Sequence, residues 1–161
     1  MNSRPTFSHV GITVPKLEDA VDWYRDVFGY TLLAGPLEVL EDDSPLGIAA
    51  TGIYGRGFRR FRFAHMASPD GNGFEVFQFD APAYERPDEV FQFWRSGVNH
   101  FAVTAPNVAE FAAEVSASGG TQRSEVVTLD ESRGFQIVYC EDPWGNVFEI
   151  CSHPYADMWN V

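Results

Sequence analysis

The sequence predicts an α+β fold built from a duplicated module, and three observations carry that prediction. Residues 8–15 read Ser-His-Val-Gly-Ile-Thr-Val-Pro and residues 99–106 read Asn-His-Phe-Ala-Val-Thr-Ala-Pro, so in both a His is followed four positions later by Thr and six later by Pro. Residues 68–75, Ser-Pro-Asp-Gly-Asn-Gly-Phe-Glu, are echoed at 142–149, Asp-Pro-Trp-Gly-Asn-Val-Phe-Glu, with Pro, Gly-Asn and Phe-Glu coinciding. A helical pattern follows each opening segment. Two anchored matches in the same order mark an internal repeat, which has to be recognised before the elements are assigned.

Each module reads strand, helix, further strands. In the first, strands are expected near 7–14, 30–40, 58–66 and 73–79, with the main helix near 17–28 and Gly29 just past its end. In the second, strands are expected near 98–105, 121–129, 133–141 and 146–152, with a helix near 107–118 ending at Gly119-Gly120. The turn signal Pro-x-Gly-Asn leads into the last strand of each module. From the His to the Glu the first module spans 66 positions and the second 49, so the first carries 17 extra. Those extras are expected to lie chiefly in 42–57, where 45–54 predicts a short helix. Residues 80–97 join the modules; Pro82 and Pro87 break regular structure there, while 90–94 predicts a helical turn. The whole chain, 1–161, is expected to form one domain: module one at about 7–79, the linker at 80–97, module two at 98–152 and a tail at 153–161 that caps a cleft or a partner.

Composition narrows the function. The 161 residues are 45% hydrophobic and 21% charged, an ordinary globular balance. Lys and Arg number 11 against 23 Asp and Glu, a net charge of −12, which repels phosphate backbones and argues against nucleic acid as a partner. No apolar run approaches the ~20 residues of a membrane span. Met1-Asn2-Ser3-Arg4-Pro5 lacks a signal peptide's apolar core, and two cysteines do not staple a secreted scaffold. A cytoplasmic protein is expected. The 14 Phe, 6 Tyr and 4 Trp suit strands and a lined cavity for a small molecule.

Strand parity gathers the chemistry. Side chains alternate faces along a strand, so Val10, Ile12 and Val14 share the face that should cover the helix, and His9, Gly11 and Thr13 share the other. Module two repeats this, with Phe101, Val103 and Ala105 opposite His100, Ala102 and Thr104. In the closing strands Phe74 and Val76 lie opposite Glu75, and Phe148 and Ile150 opposite Glu149. Each module therefore turns one His and one Glu onto its open sheet face, and the duplicated sheets would bring all four onto a shared concave surface. A lone histidine or glutamate in a strand is usually a solvated or hydrogen-bonded group. Four at matching positions of a repeat are a different matter, because a carboxylate in an apolar strand is costly unless something positive pairs with it. Two imidazoles and two carboxylates suit one divalent ion, and Zn²⁺, Ni²⁺, Co²⁺, Mn²⁺ and Fe²⁺ all accept that set. His65 and His153, lacking counterparts at ligand positions, are expected to be structural or surface groups. If the Pro143-Trp144-Gly145 turn closes a hairpin with Glu141 opposite Val147, then Cys140 faces Phe148 and Cys151 faces Ile137, too far apart for a disulfide.

The segments His9-Val-Gly-Ile-Thr-Val-Pro-Lys-Leu-Glu-Asp-Ala-Val-Asp-Trp-Tyr24, Gly97-Val-Asn-His-Phe-Ala102 and Asp142-Pro-Trp-Gly-Asn-Val-Phe-Glu149 resemble the vicinal oxygen chelate superfamily, the glyoxalase, bleomycin-resistance and extradiol dioxygenase group. The resemblance covers most of 7–152. It implies tandem βαβββ modules forming a curled mixed sheet around a concave metal site, with His9, Glu75, His100 and Glu149 as the ligands. That ligand order is similar to bacterial glyoxalase I, whereas epimerases of the methylmalonyl-CoA type place Gln where Glu75 stands. Glyoxalase I carries an Arg four residues after its first ligand, where this chain has Thr13, and the 17 extra residues also depart from the compact bacterial pattern. Arg56, Arg59, Arg60 and Arg62 concentrate positive charge, either as a receiver for an anionic substrate group or as a basic strand edge that discourages sheet pairing.

Three functions from different classes follow. One is a metal-dependent lyase, isomerase or epimerase of the glyoxalase type, acting on a small oxo or acyl substrate through an enediolate, with Glu149 and Glu75 as the candidate catalytic groups. A second is an Fe(II) ring-cleaving dioxygenase, which favours two His and one carboxylate so that substrate and oxygen both find open positions. The third is a protein that sequesters a drug in an aromatic cleft. The complete quartet favours the first, with a homodimer expected and the site closing either within one chain or across two.

Overall fold

The computed structural model describes residues 4–160 apart from Pro87 and Val90. Met1 to Ser3 of the opening segment and Pro87 of the linker therefore lie outside the described residues. The fold is α+β, with two open mixed sheets and four helices among the described residues. By its contacts the chain divides into two units, Met1–Glu85 and Arg86–Val161.

The first unit contains strand β1 (His9–Thr13), helix α1 (Leu17–Phe28), β2 (Thr31–Leu40), α2 (Pro45–Tyr54), β3 (Arg60–Ala67) and β4 (Gly73–Phe79). Its sheet runs β1-β4-β3-β2, with β1 parallel to β4 and the other neighbours antiparallel. Helix α1 lays Leu17, Ala20, Val21 and Tyr24 on the face that carries Ile12, Ala64, Met66, Phe74 and Val76, all buried. Lys16 offers α1 no side-chain cap; Gln78 of β4 takes that role, its Oε1 accepting from the Leu17 amide at 2.8 Å. The helix ends on Gly29 in the left-handed region, where the sequence places its stop. Helix α2, ten residues long, forms in the segment where the first module's excess is expected. Ser44 caps it by accepting from Gly47 N, and Pro45 enters at the first turn, where a missing N–H costs nothing. This helix belongs with Val39, Ala50, Phe58 and Phe61 in a cluster on the other sheet face, against which Phe63, Phe77 and Phe79 pack. Gly35-Pro36 falls within β2, an edge strand, and the pairing with β3 shifts register once before it, between Leu32 and Ala34, and once across it, between Ala34 and Leu37, where a residue lacking an N–H interrupts the ladder.

The second unit contains β5 (Phe101–Thr104), α3 (Val108–Ala117), β6 (Thr121–Gln122), β7 (Val127–Asp130), β8 (Phe135–Glu141), β9 (Val147–Cys151) and α4 (Tyr155–Trp159). Its path is β5-β9-β8-β6, with β7 also pairing with β8. β5 is parallel to β9, as β1 is to β4. Val108, Ala112 and Val115 of α3 are buried, as are Val138, Cys140, Phe148 and Ile150 of β8 and β9. The tail folds onto the opposite face, where Met158 of α4 joins Phe135, Cys151 and Ile137. One expectation needs correction. The single strand near 121–129 is two short strands, because residues 123–126 leave the ladder: Arg123 N donates to Tyr139 O at 2.8 Å, and Tyr139 N donates to the Ser124 side-chain Oγ at 3.0 Å in place of a backbone carbonyl. In the linker a single hydrogen-bonded turn stands at Phe93 and Trp94, closed by Arg95 N donating to Gln92 O at 3.0 Å, within the expected 90–94; Val90 lies outside the described residues.

The repeat extends to individual hydrogen bonds. Ser68 N donates to Asn72 O at 2.9 Å and Gly71 N to Ser68 O at 2.9 Å; Asp142 N donates to Asn146 O at 3.0 Å and Gly145 N to Asp142 O at 3.1 Å. Both turns feed a strand that begins one residue after the Asn.

Candidate metal-binding half-sites

In the first unit the face turned away from α1 carries His9 and Glu75. β1 pairs with β4 so that Gly11 lies beside Glu75 and His9 beside Gly73. Gly73 is required there: a Cβ built on it would stand 2.8 Å from the Cβ of His9. The bare backbone lets the His9 side chain lie over β4, and its Nε2 comes 3.5 Å from Oε2 of Glu75. Ser8 Oγ lies 3.2 Å from the other ring nitrogen of His9.

In the second unit the counterpart is built the same way. His100 precedes β5, Glu149 sits on β9 beside Ala102, and His100 Nε2 lies 3.4 Å from Oε2 of Glu149. Asn99 Oδ1 faces His100 Nδ1 at 2.9 Å, which favours a proton on Nδ1 and leaves Nε2 as the lone-pair nitrogen. Tyr139 of β8 stands directly across from Glu149, with its hydroxyl 3.4 Å from Nε2 of His100 and its ring edge-on to the imidazole at 5.0 Å. Burial first, and then the neighbouring Glu149 and Cys151, push this phenol above its ordinary range. It therefore stays protonated at neutral pH and is able to donate.

Of the four residues singled out in the sequence, the structure brings together His9 with Glu75 and His100 with Glu149. The spacing suits a shared ion. Two donors each about 2.0–2.2 Å from a metal, at tetrahedral or octahedral angles, stand roughly 3.0–3.5 Å apart. Among the described residues no group of three or more His, Cys, Asp or Glu side chains is gathered closely enough to hold an ion, so what each unit offers is a pair.

His65, expected to be a structural or surface group, is partly exposed and holds a carboxylate of the pair. It lies on β3 directly across from Glu75, and its Nδ1 stands 3.1 Å from Oε1 of that carboxylate. Tyr139 was missed too. Both lie one ladder step from a glutamate already singled out, and counting the hairpin register outward from either turn would have found them. His153 keeps a structural role, with Nδ1 2.8 Å from Ser152 Oγ and its ring edge-on to Phe135 at 4.8 Å. Of the four arginines, two are engaged by carboxylates: Arg60 with Asp80 and Glu38, and Arg62 with Glu18 of α1. Arg59 donates its backbone N–H to Glu41 and lines a shallow cleft with Pro15, Phe79, Asp80, Ala83 and Tyr84, apart from the His–Glu pair.

Comparison with known proteins places these features in a family context. The profile of the glyoxalase/bleomycin resistance protein/dioxygenase superfamily matches residues 6–150. The chain is 26% identical over 152 residues to a 2-epi-5-epi-valiolone epimerase from an Actinomyces species, an alignment covering 91% of this chain and 78% of that protein. Among solved structures it is similar to a glyoxalase family protein from Bacillus cereus, with a TM-score of 0.75, 21% identity, and 93% and 95% of the two chains covered. It is also similar to a genomically encoded fosfomycin resistance protein from Listeria monocytogenes, with a TM-score of 0.61, 12% identity, and 96% and 98% covered. Glyoxalase I from Zea mays matches with a TM-score of 0.59 and 19% identity, over 91% of this chain and 44% of that one. At these identities the structural likeness speaks to the fold.

Proposed function

Since the chain belongs to the glyoxalase/bleomycin resistance protein/dioxygenase superfamily, we propose that it is a divalent-metal-dependent epimerase, isomerase or lyase acting on a small oxo or acyl substrate. The observation that carries the reading is the doubled pair, an imidazole nitrogen and a carboxylate oxygen 3.5 Å apart in one unit and 3.4 Å apart in the other, each on the sheet face its main helix leaves open. His9, Glu75, His100 and Glu149 would hold one ion. When bound, such an ion polarises the substrate oxygens and stabilises the negative charge that develops when an adjacent carbon loses its proton. The likeness to an epimerase supports proton transfer at carbon over oxygen chemistry.

The chain's own groups supply the rest. Glu149 takes the proton from the carbon acid and returns it as the conjugate acid. Tyr139, protonated and beside His100, donates a hydrogen bond to a substrate oxygen. The proposal includes a homodimer, which light scattering checks.

The deciding experiment combines elemental analysis of the purified protein with turnover assays in D₂O. Candidate substrates are 2-oxoaldehyde hemithioacetals, acyl-CoA epimers and 2-epi-5-epi-valiolone. The reading expects bound divalent metal, activity abolished by a chelator, and deuterium entering the substrate at the carbon next to the carbonyl. Oxygen uptake with catechols under Fe²⁺, or tight binding of a drug without turnover or metal, would overturn it.

A further inference from the structure

His65 and Tyr139 occupy the same place in the two halves of the repeat. Along β3 and β4 the ladder pairs Ala64 with Val76 and His65 with Glu75; along β8 and β9 it pairs Val138 with Ile150 and Tyr139 with Glu149. Each therefore stands across from the glutamate of its own unit, on the same side of the sheet. What they touch differs. Tyr139 reaches the histidine of its pair, at 3.4 Å, whereas His65 reaches the glutamate of its pair, at 3.1 Å.

The consequence is an asymmetry between the two carboxylates. Oε2 of Glu75 is faced by His9 and Oε1 by His65, so an imidazole stands at each oxygen. Glu149 meets one imidazole, that of His100, and its other side-chain partner is the neutral thiol of Cys151, a weaker hold than a second imidazole. The ring of His65 is itself held, edge-on to Phe63 at 5.0 Å, and Phe63 in turn stacks on Phe77 at 5.6 Å with ring planes 6° apart. An aromatic ladder thus fixes the imidazole, and the imidazole limits rotation of the carboxylate. Outer groups of this kind set the orientation of a ligand and with it the affinity of the site.

We infer that His65 is a positioning residue that keeps Glu75 aimed as a standing metal ligand, leaving Glu149 as the carboxylate able to let go and move a proton. This rests on the ligand assignment proposed above. His65 is not itself a ligand in this scheme: it addresses the oxygen of Glu75 that His9 does not face.

The test uses the full chain, stripped with a chelator and titrated with Zn²⁺ and with Co²⁺, whose visible absorption reports the ligand field without any substrate. His65→Phe keeps the ring packing and removes the nitrogens; metal affinity should fall roughly 10–100-fold, as for other outer-shell losses, with the melting of the stripped protein unchanged. His65→Asn places an amide N–H near the position of Nδ1 and should restore most of the affinity. In a Glu75→Gln background, His65→Phe should lose most of its effect. Wild-type affinity in His65→Phe, equal losses in the Phe and Asn variants (the mark of a direct ligand), or an undiminished effect in the Glu75→Gln background would overturn the inference and leave the ligand assignment standing. Absence of Zn²⁺ and Co²⁺ binding by the wild-type chain would overturn the assignment and the inference together. If the Phe variant does not fold, His65→Gln replaces it: its amide reaches past Oε1, so affinity equal to that of His65→Asn is the overturning result.

Discussion

A glutamate serves as a ligand or as a base according to what holds it. Glu75 has imidazoles at both oxygens and Glu149 at one, so substitution should separate their roles. Glu149→Gln keeps an oxygen donor but loses the basic group. It should retain a measurable share of the metal while turnover falls ~10²–10⁴-fold, the usual worth of general acid–base catalysis. Glu75→Gln should be milder in turnover at matched metal occupancy; equal turnover for wild type and Glu149→Gln would remove the base assignment. The cysteines illustrate how residue-scale register is readable from sequence. The expected pairing of Glu141 with Val147, Cys140 with Phe148 and Ile137 with Cys151 is the pairing found, and both thiols are free and buried. Burial pushes the Cys140 thiol up to about 11. The fold thus favours the neutral thiol, a contribution present below the unfolded pKa of about 8.5 and lost as pH rises through the folded value. Thiol reagent at pH 8 should react slowly with the native chain and titrate both cysteines in denaturant. That same register, taken one rung further, places Tyr139 across from Glu149. Parity along single strands revealed the ligand candidates, but their neighbours are legible only across strands, and β3 and β8 carry no motif that draws attention to them.

Elements were legible where a local signal fixes them. The Pro-x-Gly-Asn turns, the openings that end in Pro and the glycine after α1 each constrain a few adjacent residues, and those strands and helices stand where the sequence puts them. The break between β6 and β7 was not legible, because it depends on bonds joining Arg123 and Ser124 to Tyr139, partners 15 or 16 residues away. Helix α2 lies between these cases. Its cap and first-turn proline are in the sequence, but its two glycines look alike there and differ in space. A Cβ on Gly47 would fall 2.6 Å from the Leu40 carbonyl oxygen and 2.7 Å from that of Asp42, both backbone atoms, besides touching the Asp42 side chain. A Cβ on Gly52 meets nothing within 4 Å. Alanine is worth about 1 kcal/mol over glycine inside a helix. Gly52→Ala should therefore stabilise the chain by roughly 0.5–1 kcal/mol. Gly47→Ala must displace α2 from its seat beside Val39 and Phe61 and should destabilise by roughly 1–3 kcal/mol, the ordinary cost of overpacking. Urea titrations of the two variants, read side by side, check both signs.

For the whole molecule, the duplication poses a question of number. Each unit presents one imidazole and one carboxylate, and two donors are half of what a stable protein site for a transition metal ordinarily uses, with three or four protein ligands being typical. Two independent two-donor sites would bind weakly, each keeping its own metal whatever happened to the other. A single site drawing on both pairs would bind tightly and would fail when either pair is broken. The proposed function requires the second case, and stoichiometry separates the two without any knowledge of substrate. Elemental analysis of the purified wild-type chain should return one divalent ion per 161-residue chain. His9→Ala and His100→Ala should each bring that number close to zero, even though they lie in different units. Both variants should keep the cooperative melting of the stripped wild type, because the cores beneath α1 and α3 are made by Leu17, Tyr24, Phe74 and Val76 in one unit and Val108, Val115, Phe148 and Ile150 in the other, none of which touches a metal donor's role. Two ions per wild-type chain, with one surviving in each histidine variant, would mean that the repeat carries two separate sites and that the four residues never serve one centre.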